Sequence, residues 1–173
     1  MIYSIFATLP ESLCTTLSDL IFDLSKKYKG PVFRAHMTIA DGISGELVEI
    51  QNALSRIAKK SHTLELSLGP VSISTTYFQS VFVRVNSTAQ LMQLNLDLKE
   101  AFDLKNSVFM PHISLVYGNH NMLTREKIAK EIKLKPAKFF CNQLEIVPNT
   151  QKPDSWKSIA TVSLRSKVSN LRQ

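Results

Sequence analysis

The sequence predicts an α+β fold made of two similar halves. Apolar residues recur alternately at strand-like and helix-like spacing along the chain. An apolar phrase, Val32-Phe33-Arg34-Ala35-His36-Met37-Thr38-Ile39, returns 76 positions later as Val108-Phe109-Met110-Pro111-His112-Ile113-Ser114-Leu115. No low-complexity run or linker divides the 173 residues, so residues 1–173 are expected to form a single domain of two intimately packed lobes.

The elements follow in order. Residues 2–9 alternate apolar side chains in part and read as a first strand. Leu13, Leu17, Leu20, Ile21 and Leu24 then recur at helical spacing, with Pro10 and Glu11 suited to a first turn. Gly30 and Pro31 end that helix before the first copy of the phrase. Leu47, Ile50, Leu54, Ile57 and Ala58 line a second helix behind the turn-like Asp41-Gly42-Ile43-Ser44-Gly45. Extended segments are expected over 63–74 and 77–86, the latter with Phe78, Ser80, Phe82 and Arg84 on one face. A third helix to Phe102 buries Leu91, Leu94, Leu98 and Ala101 and is capped by Ser87 or Thr88. After the second copy come a short helix over 124–132, a strand over 139–147, a turn over 149–154 and a last strand over 156–165. The polar tail after Lys167 is expected to be loose.

Composition excludes several classes. With 44% hydrophobic residues and no apolar run of roughly 18 to 20 residues, the chain is expected to be neither disordered nor inserted in a membrane. Its first ten residues carry no basic leader and too short an apolar run for a signal peptide, so a cytoplasmic protein is expected. Cys14 and Cys141 cannot make a multi-disulfide framework or a zinc site and read as reduced thiols. A formal charge of +7 favours encounter with anions such as nucleotides and RNA. Lys152, Lys157, Arg165 and Lys167 are scattered, which suggests a solvated surface.

The repeated phrase carries the chemistry. A strand points residues i and i+2 to one face, so each copy aims a histidine and a hydroxyl the same way. Ser and Thr make up 30 of 173 residues, so any histidine has about a one-in-six chance of a hydroxyl two places on, and a single His-x-Ser/Thr is a weak motif. Here two of the four histidines carry it, and their apolar neighbours match too. If the copies converge, a neutral imidazole takes a proton from water while an imidazolium gives one to a leaving oxygen. Thr38 and Ser114 would hold the non-bridging oxygens of a phosphate between the rings. A strained cyclic phosphodiester suits that pair, because in-line attack needs a base on one side of phosphorus and an acid on the other. The scheme requires no cofactor and no metal.

His36-Met37-Thr38 and His112-Ile113-Ser114 resemble the two signature elements of the 2H phosphoesterase superfamily. Gly30-Pro31-Val32-Phe33, Tyr77-Phe78-Gln79-Ser80-Val81-Phe82-Val83 and Pro111-His112-Ile113-Ser114-Leu115-Val116-Tyr117-Gly118 are similar to its plant and fungal cyclic phosphodiesterase branch. The resemblance implies a bilobal fold, with two antiparallel sheets related by pseudo-twofold symmetry around a groove and helices outside. It implies hydrolysis of nucleoside 2′,3′-cyclic phosphates to 2′-phosphates, and of ADP-ribose 1″,2″-cyclic phosphate to the 1″-phosphate, linked to tRNA-splicing by-products. It makes His36 and His112 the catalytic pair, Thr38, Ser114 and Tyr117 phosphate ligands, and Phe78 an aromatic contact to the nucleoside. The pattern departs at Asn119-His120-Asn121, on the expected rim of the pocket.

Other readings stay open beside this one. Tyr117 and Phe78 fit a core as well as a ligand contact, while His62 and His120 read as solvent-facing. An RNA end or a 2′-5′ linkage would suit the same fold, and the basic charge also fits a nucleotide- or RNA-binding module without turnover. A monomer is expected, with a small cyclic nucleotide as its partner.

Overall fold

In the computed structural model, which describes residues 1–104 and 108–166, the order is β1 (Ile2–Ala7), α1 (Glu11–Tyr28), β2 (Met37–Ser44), α2 (Leu47–Lys60), β3 (Leu64–Ile73), β4 (Val81–Val85), α3 (Ala89–Ala101), β5 (His112–Val116), α4 (Met122–Glu131), β6 (Lys138–Cys141), β7 (Gln143–Pro148) and β8 (Ala160–Ser163). The expected loose tail after Lys167 lies outside the described residues. Two antiparallel four-stranded sheets result, with strand orders β2-β1-β7-β8 and β5-β4-β3-β6. This is the α+β architecture the sequence predicts.

The two orders correspond strand for strand. The strand that follows or opens with a histidine, β2 or β5, lies at one edge of each sheet, beside the strand to which a helix joins it: α1 in the first half and α3 in the second. Thr38 pairs with Phe6 and Ser114 with Phe82. Ser4-Ile5-Phe6 and Ser80-Val81-Phe82 stand at the same 76-residue offset as the histidines, so the internal repeat reaches into β1 and the start of β4. Ser4, Phe6, Ser80 and Phe82 are all buried.

The halves are interlocked. α1 packs on β5, α3 packs on β2, and β2 meets β5 directly. β1 is buried without a break from Tyr3 to Ala7 because it is an interior strand covered on both faces; that cover explains its weak alternation. From α3, the buried Asn95 reaches across and donates its Nδ2–H to the Ile39 carbonyl of β2 at 2.7 Å. Cys14 and Cys141 are free thiols.

Several boundaries differ from the sequence reading. The first copy of the phrase is irregular until Met37, so His36 stands just ahead of β2, whereas His112 opens β5. Residues 41–44 of the expected turn are absorbed into β2, where register shifts and Gly42 at φ 74° bend the strand, and Gly45 follows its end. The extended segment at 77–86 shrinks to β4. Ahead of it Ser74 folds the chain into a loop: its N–H donates to the Ser80 carbonyl at 3.3 Å and its Oγ to the Gln79 carbonyl at 2.6 Å. The single strand expected over 139–147 is broken at Asn142, and its parts, β6 and β7, belong to different sheets; a continuous apolar run does not mark where a pairing partner changes. The last strand is only β8, preceded by a 3-10 turn at Pro153–Ser155.

Caps follow ordinary chemistry. Thr88 Oγ1 accepts the Leu91 N–H at 3.2 Å and Asn121 Oδ1 the Thr124 N–H at 2.8 Å, which starts α4 two residues earlier than expected. α1 ends on Lys29 in the left-handed region, at φ 56°. Gly30 is needed for a different reason: a Cβ there would lie 3.0 Å from the Tyr117 carbonyl, where the halves touch.

Removing the crossing amide in Asn95→Ala leaves the Ile39 carbonyl without its donor and should lower unfolding stability by about 1 to 3 kcal/mol. Urea unfolding of both proteins measures this, and an unchanged midpoint would contradict the role of Asn95 in joining the halves.

Candidate active site

One cavity of about 560 Å³ is lined from both halves, and His36, Thr38, Phe78, His112, Ser114 and Tyr117 all border it. The convergence expected of the two phrases is therefore present.

The imidazoles are held alike. His36 Nδ1 lies 2.7 Å from the Arg34 carbonyl oxygen and His112 Nδ1 2.8 Å from that of Met110, in each case two residues back. A carbonyl oxygen only accepts, so Nδ1 carries the proton and the Nε2 of a neutral ring keeps its lone pair. Phe6 stacks on the face of His36 with ring centres 4.1 Å apart, and Trp156 meets it edge-on at 5.4 Å. Phe82 packs edge-on against His112 at 5.3 Å. Burial pulls the pKa of His36 down to about 4, and the positive charge of Arg34, with that of His112 once it is protonated, pushes the same way. Burial also lowers that of His112, helped by Arg84. Both rings are neutral at pH 7 in the free protein.

The hydroxyls stand beside them. Thr38 is partly exposed on β2, while Ser114 is buried and donates to the Phe78 carbonyl at 2.9 Å. Tyr117 stacks on Phe33 at 3.8 Å and hydrogen-bonds the Ser114 side chain, and burial keeps its phenol protonated. It is thus a core residue that also faces the cavity. Phe78 sits on the loop ahead of β4, not on a strand, and meets Tyr117 edge-on at 5.3 Å.

Sequence reasoning missed three supports. Trp156 borders the cavity and packs within 6.2 Å of Phe6, Phe78 and Tyr117; being the one tryptophan in the chain was its only signal. Arg125, 4% exposed, donates to the carbonyls of Ser74, Thr76 at 2.9 Å, Gly118 at 3.1 Å and His120 at 2.7 Å. It thereby ties α4 to the loops on either side of Phe78 and Tyr117, and no motif marks it. Arg34 pairs with the buried Glu145 of β7.

His62 is exposed as expected, but His120 is not solvent-facing: its Nε2 is buried beside Tyr28, because the chain folds back after Gly118 onto α1. Lys152, Lys157 and Arg165 are exposed, and Lys167 lies outside the described residues. Among the described residues no three His, Cys, Asp or Glu side chains form a metal-binding group, and no helix is long and apolar enough to cross a membrane.

Comparison with known proteins adds the following. The pattern of the family described as cyclic phosphodiesterase-like protein matches residues 2–170. A cyclic phosphodiesterase of Arabidopsis thaliana is 26% identical over 127 residues, spanning 73% of this chain and 68% of the relative. A solved structure from Thermus thermophilus aligns with a TM-score of 0.69 at 17% identity, covering 96% of this chain and 100% of that one. LigT of E. coli, solved with 3′-AMP, aligns with a TM-score of 0.61 at 16% identity, covering 94% of this chain and 97% of its own. At these identities the structural likeness speaks to the fold.

Buried neutral histidine has a measurable consequence. His36 titrates near 6.5 when unfolded and at about 4 when folded, so the unfolded chain binds the extra proton between those values. Folding stability therefore falls as pH drops from 6.5 to 4, by up to about 3 kcal/mol from this residue. Thermal unfolding across that range should show His36→Gln losing a large part of the slope; parallel wild-type and variant curves would contradict the burial argument.

Proposed function

The chain belongs to the cyclic phosphodiesterase-like family of 2H phosphoesterases, and from that premise we propose that it opens nucleoside 2′,3′-cyclic phosphates to 2′-phosphates, and ADP-ribose 1″,2″-cyclic phosphate to the 1″-phosphate, with His36 and His112 as general acid and base. Phosphodiester hydrolysis is the chemistry the family brings. The observation that carries the finer reading is the pair of Nδ1-anchored imidazoles, each with a hydroxyl two residues on, around one cavity.

One neutral imidazole takes a proton from water as its oxygen bonds to phosphorus. The bond from phosphorus to the 3′ oxygen breaks, and the second ring, as imidazolium, protonates that oxygen, leaving a 2′-phosphate. Thr38, Ser114 and Tyr117 donate to the non-bridging oxygens. The Ser114 hydroxyl, given to the Phe78 carbonyl in the free protein, turns to the phosphate when it arrives. The anion also raises the depressed histidine pKa values, so that one ring can carry the proton it must donate. Phe78 and Trp156 offer ring faces for the nucleoside. LigT of E. coli has been solved with 3′-AMP and with NADP+, and a cavity of about 560 Å³ has room for a nucleotide.

Phosphorus NMR with 2′,3′-cyclic AMP reports both ring opening and which monophosphate forms; the proposal expects 2′-AMP. His36→Ala and His112→Ala should each lower turnover by orders of magnitude while the protein stays folded. Undiminished hydrolysis by either variant rejects the assignment, and a cyclic nucleotide recovered intact from the wild type points to a binding module. Cleavage confined to RNA ends, and slowing steeply with salt, would move the substrate to RNA.

Both free-protein histidine pKa values lie below 6.5, that of His36 at about 4. The kcat/KM profile should therefore be a bell with both limbs below pH 6.5, one of them near pH 4, whichever ring is the base. A profile still rising above pH 7 would contradict it.

A further inference from the structure

The two histidine segments are alike in sequence and are held differently. His112 pairs with Arg84 in the sheet, and the preceding Pro111 carbonyl accepts the Val85 N–H at 2.9 Å. The backbone ladder thus fixes the chain just before His112. The pairing of β1 with β2 ends at Ala7 opposite Met37, one residue short of His36. Side chains hold residues 34–36 in its place. The Ala35 N–H donates to Ser18 Oγ at 3.1 Å, and Cys14 Sγ makes a weak contact of 3.6 Å to the Ala35 carbonyl. Arg34 reaches to β7, where its Nη1 meets Glu145 Oε1 at 3.3 Å and its Nη2 meets Oε2. Glu145 is 8% exposed and pairs with Phe6 in the sheet, and Phe6 stacks on His36. The circuit closes at the Arg34 carbonyl, which takes the His36 Nδ1–H.

We propose that the Arg34–Glu145 ion pair is a positioning device for His36, standing in for the strand ladder that fixes His112. A two-pronged guanidinium–carboxylate contact sets orientation as well as distance. Anchoring the Arg34 side chain to β7 holds the adjoining peptide plane, and with it the one carbonyl that decides which His36 nitrogen carries the proton. Phe6, beside Glu145 in the sheet, fixes the ring plane from the other side. Arg34 and Glu145 touch no reacting atom; they act through His36, and their effect on turnover rests on His36 being one of the reacting imidazoles.

The test uses Glu145→Gln and the double variant Arg34→Met/Glu145→Met, which removes both charges and so strands neither in the interior. Nitrogen-15 NMR of the imidazoles distinguishes the two neutral tautomers, with His112 as the internal reference. The proposal expects His36 in the variants to become a mixture of tautomers while His112 keeps its proton on Nδ1. For 2′,3′-cyclic AMP it expects kcat to fall by roughly tenfold or more with little change in KM. His36 signals identical to wild type in both folded variants overturn the proposal, whatever happens to activity. Altered His36 tautomers with undiminished kcat uphold the positioning role and instead overturn His36 as a reacting group.

Discussion

Two hydrogen bonds, from His36 Nδ1 to the Arg34 carbonyl and from His112 Nδ1 to the Met110 carbonyl, constrain the rest of the molecule. Each fixes a tautomer, and each requires that the backbone two residues upstream be immobile. Burying the rings under Phe6 and Phe82 supplies rigidity and drives both pKa values down. A neutral pair can accept a proton but cannot donate an extra one until an anion arrives to favour the charged form. In the proposed reaction, the same burial that makes protonation costly in the free protein makes it depend on the arrival of a phosphate.

The internal symmetry explains how a short chain places such a pair. Each half contributes a strand, a helix and a second strand with a histidine at or just before its start, and each helix packs on that second strand of the other half. The parts that break the symmetry do other work. Arg125 ties together the loops around Phe78 and Tyr117, Trp156 crosses from the C-terminal segment to cover His36, and Arg34 bonds to Glu145. Residues 76 positions from these are Glu49, Ser80 and Met110, which cannot repeat the same contacts. The repeated Nδ1-to-carbonyl bonds orient both rings; the unrepeated residues add support to His36 and shape the surroundings of the cavity.

Much of this was legible in the sequence because strand geometry is local. The i, i+2 rule identifies His36 with Thr38 and His112 with Ser114 without knowing what either strand pairs with. Helices were legible from the stripes that Leu17, Ile21 and Leu24, and later Leu91, Leu94 and Leu98, present to the core. What was missed depends on partners distant in the chain. The change of sheet at Asn142, the anchoring of the Phe78 loop by Ser114 and Arg125, and the buried role of Arg125 each arise from pairings that local spacing does not encode. The Ser-x-Phe repeat at Ser4 and Ser80 is too short to stand out in the sequence and gains meaning only from the pairing of Phe6 with Thr38 and of Phe82 with Ser114.

The central claim is that one anion is shared by two imidazoles. Titrating the wild-type protein with inorganic phosphate while recording histidine nitrogen-15 signals tests it most directly. The account predicts that the Nε2 signals of His36 and His112 move together with a single Kd while both Nδ1 atoms keep their protons. A response from only one histidine, or two separate dissociation constants, would contradict it.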